Sequence, residues 1–172
     1  MHLKHKGITT EEAKLIESYA KKCMKLLMKK EYELDIPRGA QHRIPITIRK
    51  RKNSPSRGGL NGIDINLGYW QIGNQFHTEY KAFNDDKTIG KIECGGVTEN
   101  HLMVTVAHEI AHYVQYRYAY RIPRFKGKWQ KPHGEAFRTI YRYLRRDLVN
   151  GSIAQSLENK NFFEKRRKTV YF

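Results

Sequence analysis

The residues with the clearest chemical potential are His108, Glu109 and His112, which form the pattern His-Glu-x-x-His. Two histidines four positions apart lie one turn from each other on the same helix face, so both imidazoles can reach one metal ion. The glutamate between them can take a proton from a water that the metal activates. The motif therefore predicts a metal-dependent hydrolase with His108 and His112 as ligands and Glu109 as general base.

A third ligand must come from elsewhere, because a catalytic zinc ion usually has three protein ligands and keeps a fourth position for water. His133, at the start of a further predicted helix, is the best candidate. Glu135 is the alternative, since some enzymes of this motif use a distal glutamate. His101 lies ~10 Å before His108 along a helix, which is too far for direct ligation but leaves a supporting role open.

Two predicted helices hold these ligands. Apolar residues at helical spacing predict a largely buried helix over about 99–118, with Thr98 as its N-cap. A second helix is predicted over 135–148, where Asn150-Gly151 is expected to end it, followed by a short helix near 152–158. The segment 121–131 between the ligand helices has the composition of a loop.

The remaining segments are expected to frame the site. Thr9 and Glu12 form a capping box for a helix over 9–30. Alternating apolar residues predict neighbouring strands at 44–48 and 63–67, and Pro45 places the first of them at an edge or a bulge. A mobile basic loop is expected between the two, including residues 53–59, and another short strand at 88–94. The predicted fold class is α+β, with a sheet of about three strands on the His-Glu-x-x-His helix.

The two motifs together resemble the SprT-like metallopeptidase family, which includes the Spartan proteases. The resemblance rests on His108-Glu109-x-x-His112, then about twenty residues, then His133-Gly134-x-x-Phe137, and it covers residues 9–148. It implies a small zincin-like domain over 1–150, followed by a short helix and a basic C-terminal tail over 151–172. It also implies His108, His112 and His133 as ligands of one Zn²⁺ ion, with Glu109 as the catalytic base. Many members continue into a Cys-based zinc ribbon, for which this sequence offers no cysteine after Cys94.

The formal net charge of +16 exceeds the roughly 2–8 units that keep a small domain soluble. This charge favours nucleic acid, an anionic surface or an acidic protein as partner. Aromatic residues interleave with cations over 113–131, a pattern that suits single-stranded nucleic acid, unless the tyrosines are core residues and the cations merely solvated. The candidate nucleic-acid contacts are Arg49, Lys50, Arg51, Lys52, Arg117, Arg121, Arg124, Lys126, Lys128 and Trp129.

The sequence thus favours a zinc-dependent peptidase that cleaves proteins bound to DNA or other nucleic acid. The alternative is a non-enzymatic nucleic-acid-binding or structural protein, for example of a virus particle, with a structural metal. A closed structural site needs four protein ligands, and three are well placed. The N-terminal residues lack the apolar stretch of a signal peptide, and no apolar run is long enough for a membrane span. A cytoplasmic or nucleoid-associated location, without a membrane partner, is expected.

Overall fold

In a computed structural model, the described part of the chain folds into helices and two small sheets in an α+β arrangement. The structure describes residues 8–51, 54–68 and 73–169, with side chains up to residue 160. In chain order the helices and strands are α1 (Thr10–Leu27), β1 (Ile46–Arg49), β2 (Arg57–Gly59), β3 (Gly62–Asn66), β4 (Phe76–His77), β5 (Ile92–Glu93), α2 (Thr98–Arg117), α3 (Glu135–Leu144) and α4 (Asn150–Thr169).

Helix α1 begins as its sequence predicts. The Thr9 hydroxyl accepts a hydrogen bond from the Glu12 N–H (3.1 Å), and the Glu12 carboxylate accepts one from the Thr9 N–H (2.8 Å). The helix ends at Leu27, three residues before the predicted end. Its apolar face is buried and packs against α2 and α3.

The larger sheet has three strands in the order β1-β3-β2. Strand β1 pairs in parallel with β3, with Ile46 opposite Ile63, and lies at the edge, which is one of the two alternatives predicted from Pro45. Pro45 contributes through its carbonyl, which accepts a hydrogen bond from the Ile63 N–H (3.0 Å). The second sheet pairs β4 with β5 in antiparallel orientation. Of the strand predicted over 88–94, only Ile92 and Glu93 form a strand, β5.

The loop predicted over 53–59 is wrong at its end, where Arg57–Gly59 forms strand β2, whereas residues 54–56 have no regular secondary structure and Asn53 lies outside the described residues. Arg57–Gly59 pairs antiparallel with β3 across a two-residue turn at Leu60-Asn61. Two successive glycines disfavour a strand in isolation, so the composition indicated a loop. Pairing with β3 and a close approach to α2 stabilise this strand, and neither effect is visible in local composition.

Helix α2 runs through the centre of the fold, against α1, α3, β2 and β3. Residues on every face of its middle part are buried, which confirms the predicted buried helix. Its N-cap is Val97 rather than Thr98, which is the first helical residue. None of the helices in the described ranges combines the length and the apolar character that a membrane span requires.

The predicted helix end at Asn150-Gly151 is wrong. A π-helical turn over Arg145–Val149 connects α3 directly to α4. The Asn150 side chain accepts a hydrogen bond from Arg145 Nε (2.8 Å) and donates one to the Thr88 carbonyl (3.2 Å). Ile153 then packs into the core. These tertiary contacts outweigh the weak helix preference of the Asn-Gly pair.

Strand β2 touches α2 at Gly58. A Cβ atom at this position would overlap the Glu109 carbonyl oxygen and lie 2.8 Å from the His112 Cβ. Strand and helix can approach this closely only because residue 58 has no side chain. The approach places the edge strand beside two residues of the His-Glu-x-x-His motif.

We expect Gly58→Ala to destabilise the fold by about 1–3 kcal/mol, because the added methyl group forces β2 away from α2. Gly59→Ala is the matched control, since a Cβ there meets nothing within 4 Å. Urea unfolding of both variants measures the difference. Equal stability of the two variants would contradict the packing described for Gly58.

Candidate metal centre

Three histidines converge on one point between α2 and α3. His108 and His112 lie one turn apart on α2, each with 8% of its surface exposed. His133 Nε2 lies 3.1 Å from His108 Nε2 and 2.9 Å from His112 Nε2. The ligand atoms of all three lie within 4.8 Å of one another, close enough to bind one metal ion.

His133 reaches the cluster from the segment that precedes α3. Its backbone is in the left-handed region, with φ of 56°. Gly134 follows as the N-cap of α3, and its N–H donates to the Lys131 carbonyl (3.0 Å). Arg138 Nε donates to the His133 carbonyl (3.1 Å). The tight turn and the arginine together direct the imidazole toward α2.

Two of the three imidazoles are neutral at pH 7. Burial, together with a smaller contribution from the nearby His108, lowers the pKa of His112 to about 3 and that of His133 to about 4. Burial lowers the pKa of His108, but the charge and the hydrogen bond of Glu79, together with the charge of Glu109, outweigh this effect and raise it. Neutral imidazole is the form that binds a metal ion.

Glu79 holds His108 from the side opposite the cluster. Its Oε2 accepts a hydrogen bond from His108 Nδ1 (3.0 Å), and its side chain is 4% exposed. Burial would raise the pKa of Glu79, but the charge and hydrogen bond of His108 lower it to about 2, so the carboxylate is ionised. In the neutral form of His108, which is the form that binds a metal ion, the hydrogen lies on Nδ1 beside Glu79 and the Nε2 lone pair faces the cluster.

A buried polar network surrounds Glu79. Tyr141 donates its hydroxyl to Glu79 Oε1, and Arg145 Nη1 lies 3.7 Å from the same oxygen. His77 Nε2 lies 3.8 Å from that oxygen as well, and His77 Nδ1 lies 3.4 Å from His101 Nδ1. His101 is thus two residues removed from His108 in this network. The supporting role that the sequence left open for His101 stays a prediction, because the described contacts link it to His108 through His77 and Glu79.

Glu109 is 6% exposed and lies beside β2. Burial raises the pKa of Glu109 to about 7, with an opposing effect from His108 and from a hydrogen bond to the Gly58 backbone. The carboxyl group can therefore exchange a proton near neutral pH, which is the property that a general base requires.

Glu135 is not part of the cluster. Its carboxylate pairs with Lys128 Nζ (2.8 Å), and both side chains are more than half exposed. The sequence left open whether His133 or Glu135 is the third candidate ligand. The structure places His133 in the cluster, because its Nε2 lies close to those of His108 and His112. Among the residues that the structure describes, the cluster has three potential ligands and no fourth.

Two supporting residues, Glu79 and Gln115, were missed by the sequence analysis. Gln115 lies three positions after His112 and accepts a hydrogen bond from its Nδ1 (3.2 Å). The i, i+3 spacing could have identified it as a neighbour on the same helix face. Glu79 lies in a stretch without periodicity, and no sequence signal connects it to His108.

The basic residues at the end of β1 and directly after it are divided between structural and exposed positions. Arg49 Nε pairs with Asp64 Oδ1 (2.6 Å), and its side chain is 15% exposed, so it links β1 to β3. Lys50 and Arg51 are exposed. Lys52 lies outside the described residues.

The end of α2 and the segment after it combine buried aromatic residues with exposed cations. Tyr113, Tyr118 and Phe125 are buried, whereas Tyr120 is 48% exposed and Trp129 is half-buried. The exposed cations are Arg117, Arg121, Arg124, Lys126 and Lys128, of which Arg124 also donates to the Tyr32 carbonyl (2.5 Å) and lies near Glu33 (3.7 Å).

Comparison of the chain with protein-family models, curated proteins and solved structures finds no match in any of the three. The resemblance to the SprT-like family stays a prediction that rests on the residues of the two motifs.

We expect His133→Ala to lose the bound metal ion, because two imidazoles remain of a three-ligand site. Glu135→Ala is the control from the same turn and should retain it, since Glu135 lies outside the cluster. Elemental analysis of the dialysed proteins measures the metal content per chain. Full metal content in His133→Ala would exclude His133 as a ligand.

Proposed function

We propose that the chain is a zinc-dependent metallopeptidase with a zincin-like fold. The observation that carries this proposal is the convergence of three imidazole Nε2 atoms beside a buried glutamate. Two ligands of a tetrahedral zinc ion with Zn–N bonds of ~2.0–2.1 Å lie roughly 3.3 Å apart. The distances of 2.9 and 3.1 Å from His133 to the other two ligands are close to that value.

The positions of the residues suggest a role for each in the proposed reaction. His108, His112 and His133 hold the ion, which, when bound, polarises the scissile carbonyl and acidifies water. Glu109 takes a proton from water and passes it to the leaving amine. Burial beside β2 raises the pKa of Glu109 to about 7, and a hydrogen bond from the Gly58 backbone partly opposes this effect.

A purely structural metal site accounts less well for this arrangement. Structural zinc sites are closed by four protein ligands, whereas the cluster has three in the described part of the chain. A structural site also has no use for Glu109, whose burial raises its pKa at a cost in folding free energy. An open metal position next to a proton acceptor favours hydrolysis.

We expect Glu109→Gln to retain the metal ion and to lose proteolytic activity by about 10²–10⁴-fold, because the amide cannot accept the proton. Glu99→Gln, at an exposed position in the first turn of α2, is the control and should leave activity unchanged. Cleavage of an unfolded protein substrate and elemental analysis measure the two properties. Wild-type activity in Glu109→Gln would remove the general-base assignment.

The proposed substrates are proteins bound to nucleic acid. Exposed cations follow α2, and the Arg121 guanidinium lies 5.1 Å from the ring of the exposed Tyr120. The Trp129 ring lies 6.2 Å from the same tyrosine. Cations pair with phosphates and exposed aromatic rings stack on bases, which supports single-stranded nucleic acid as partner. The burial of Tyr113, Tyr118 and Phe125 restricts the aromatic part of this surface to Tyr116, Tyr120 and Trp129.

We expect affinity for single-stranded DNA to fall steeply with salt concentration. The double variant Arg121→Ser/Lys126→Ser should reduce the slope of log K against log salt by roughly 0.7 for each phosphate that the variant no longer neutralises. The control, Lys14→Ser/Lys21→Ser, removes equal charge from exposed positions on α1 and should leave the slope nearly unchanged. Equal slopes for both double variants would place the DNA-binding surface elsewhere.

A further inference from the structure

Gln115 lies where α2 meets the segment that carries His133, and it has no exposed surface. Its carboxamide makes three hydrogen bonds. Oε1 accepts from His112 Nδ1 (3.2 Å), and Nε2 donates to the carbonyls of Trp129 (2.7 Å) and Lys131 (2.9 Å). The buried Gln115 side chain is therefore hydrogen-bonded both to His112 and to the backbone of the segment that leads to His133.

The partners determine the orientation of the amide. Backbone carbonyls only accept hydrogen bonds, so the NH₂ group must face Trp129 and Lys131. The oxygen must then face His112, whose Nδ1 carries the hydrogen. His112 Nε2 is left with its lone pair directed at the cluster.

The backbone at His133 needs external support. A non-glycine residue at positive φ costs of order 1–3 kcal/mol and persists where its surroundings hold it. The Lys131 carbonyl accepts from both Gln115 Nε2 and the Gly134 N–H, so Gln115 holds the first residue of the turn that contains His133. Loss of the two Gln115 donors would leave two backbone carbonyls beside a buried position without these partners.

We propose that Gln115 is a positioning residue for the metal centre, which holds His112 in the ligating tautomer and His133 in ligating position at the same time. The proposal rests on the metal centre of the proposed function. Gln115 would not contact the ion itself. Its hydrogen bonds would hold His133 within coordination distance of the same ion as His108 and His112.

Two substitutions at Gln115 distinguish its hydrogen bond to His112 from its hydrogen bonds to the backbone before His133. Gln115→Glu keeps the size and the acceptor for His112, but it removes both donors and sets a carboxylate oxygen against the two carbonyls. Gln115→Met keeps the approximate size and removes all three hydrogen bonds. Gln130→Glu makes the same charge change at an exposed position of the same segment and serves as control.

The experiment is a titration of each metal-free protein with Co²⁺ in competition with a chelator, followed by the visible absorption spectrum of the bound ion. We expect both Gln115 variants to bind Co²⁺ about 10–100-fold more weakly than wild type. Their spectra should change, because a displaced His133 alters the ligand geometry. Gln130→Glu should match wild type in affinity and spectrum.

Wild-type affinity and spectrum in Gln115→Glu would overturn the role at His133, even if Gln115→Met binds weakly. If the Gln115 variants do not fold, a hydrogen-exchange measurement on the wild-type protein still tests the proposal. The Gln115 amide protons should exchange with solvent far more slowly than those of Gln130, because they are buried and bonded. Equal exchange rates would overturn the proposal.

The Co²⁺ titration also separates this proposal from the proposed function. Wild-type protein that binds Co²⁺ but cleaves no protein would overturn the peptidase and leave the role of Gln115 intact. Wild-type protein that binds no Co²⁺ would overturn both.

Discussion

The central constraint of the structure is that three imidazoles, with ligand atoms within 4.8 Å of one another, must each be held by groups outside the cluster. Glu79 holds His108 and Gln115 holds His112, each through Nδ1. His133 is held through its backbone instead, by the turn that begins at Lys131 and by the hydrogen bond from Arg138 to its carbonyl. The architecture of the site is therefore set as much by the groups around the ligands as by the ligands.

The cost of this arrangement is a strongly polar interior. Glu79 and Arg145 are buried charges, which are tolerable only when paired and hydrogen-bonded. Arg145 meets this condition with donors to the Ile89 carbonyl (3.3 Å), the Gly90 carbonyl (3.2 Å) and Asn150. The π-helical turn that begins at Arg145 and the continuation into α4 therefore belong to the same network that supports His108.

Periodic and capped segments could be predicted from sequence, and segments whose conformation depends on distant contacts could not. Helix α1 follows from its capping box and its apolar stripe, and the edge position of β1 is one of the two alternatives predicted from Pro45. Strand β2 escaped prediction because Gly58-Gly59 has no local preference for a strand. The passage of the helix through Asn150-Gly151 escaped it because side-chain bonds from Arg145 and to Thr88 override a local breaking signal.

By itself the sequence determined that His108 and His112 share a helix face with Glu109 between them, because the helical repeat places residues i and i+4 together. It also determined the net charge. Tertiary structure alone decided that His133, and not Glu135, completes the cluster, since that outcome depends on how the segment before α3 returns to α2. It alone brought Glu79 to His108 across 29 positions, because a hydrogen bond between distant residues leaves no periodic trace in the chain.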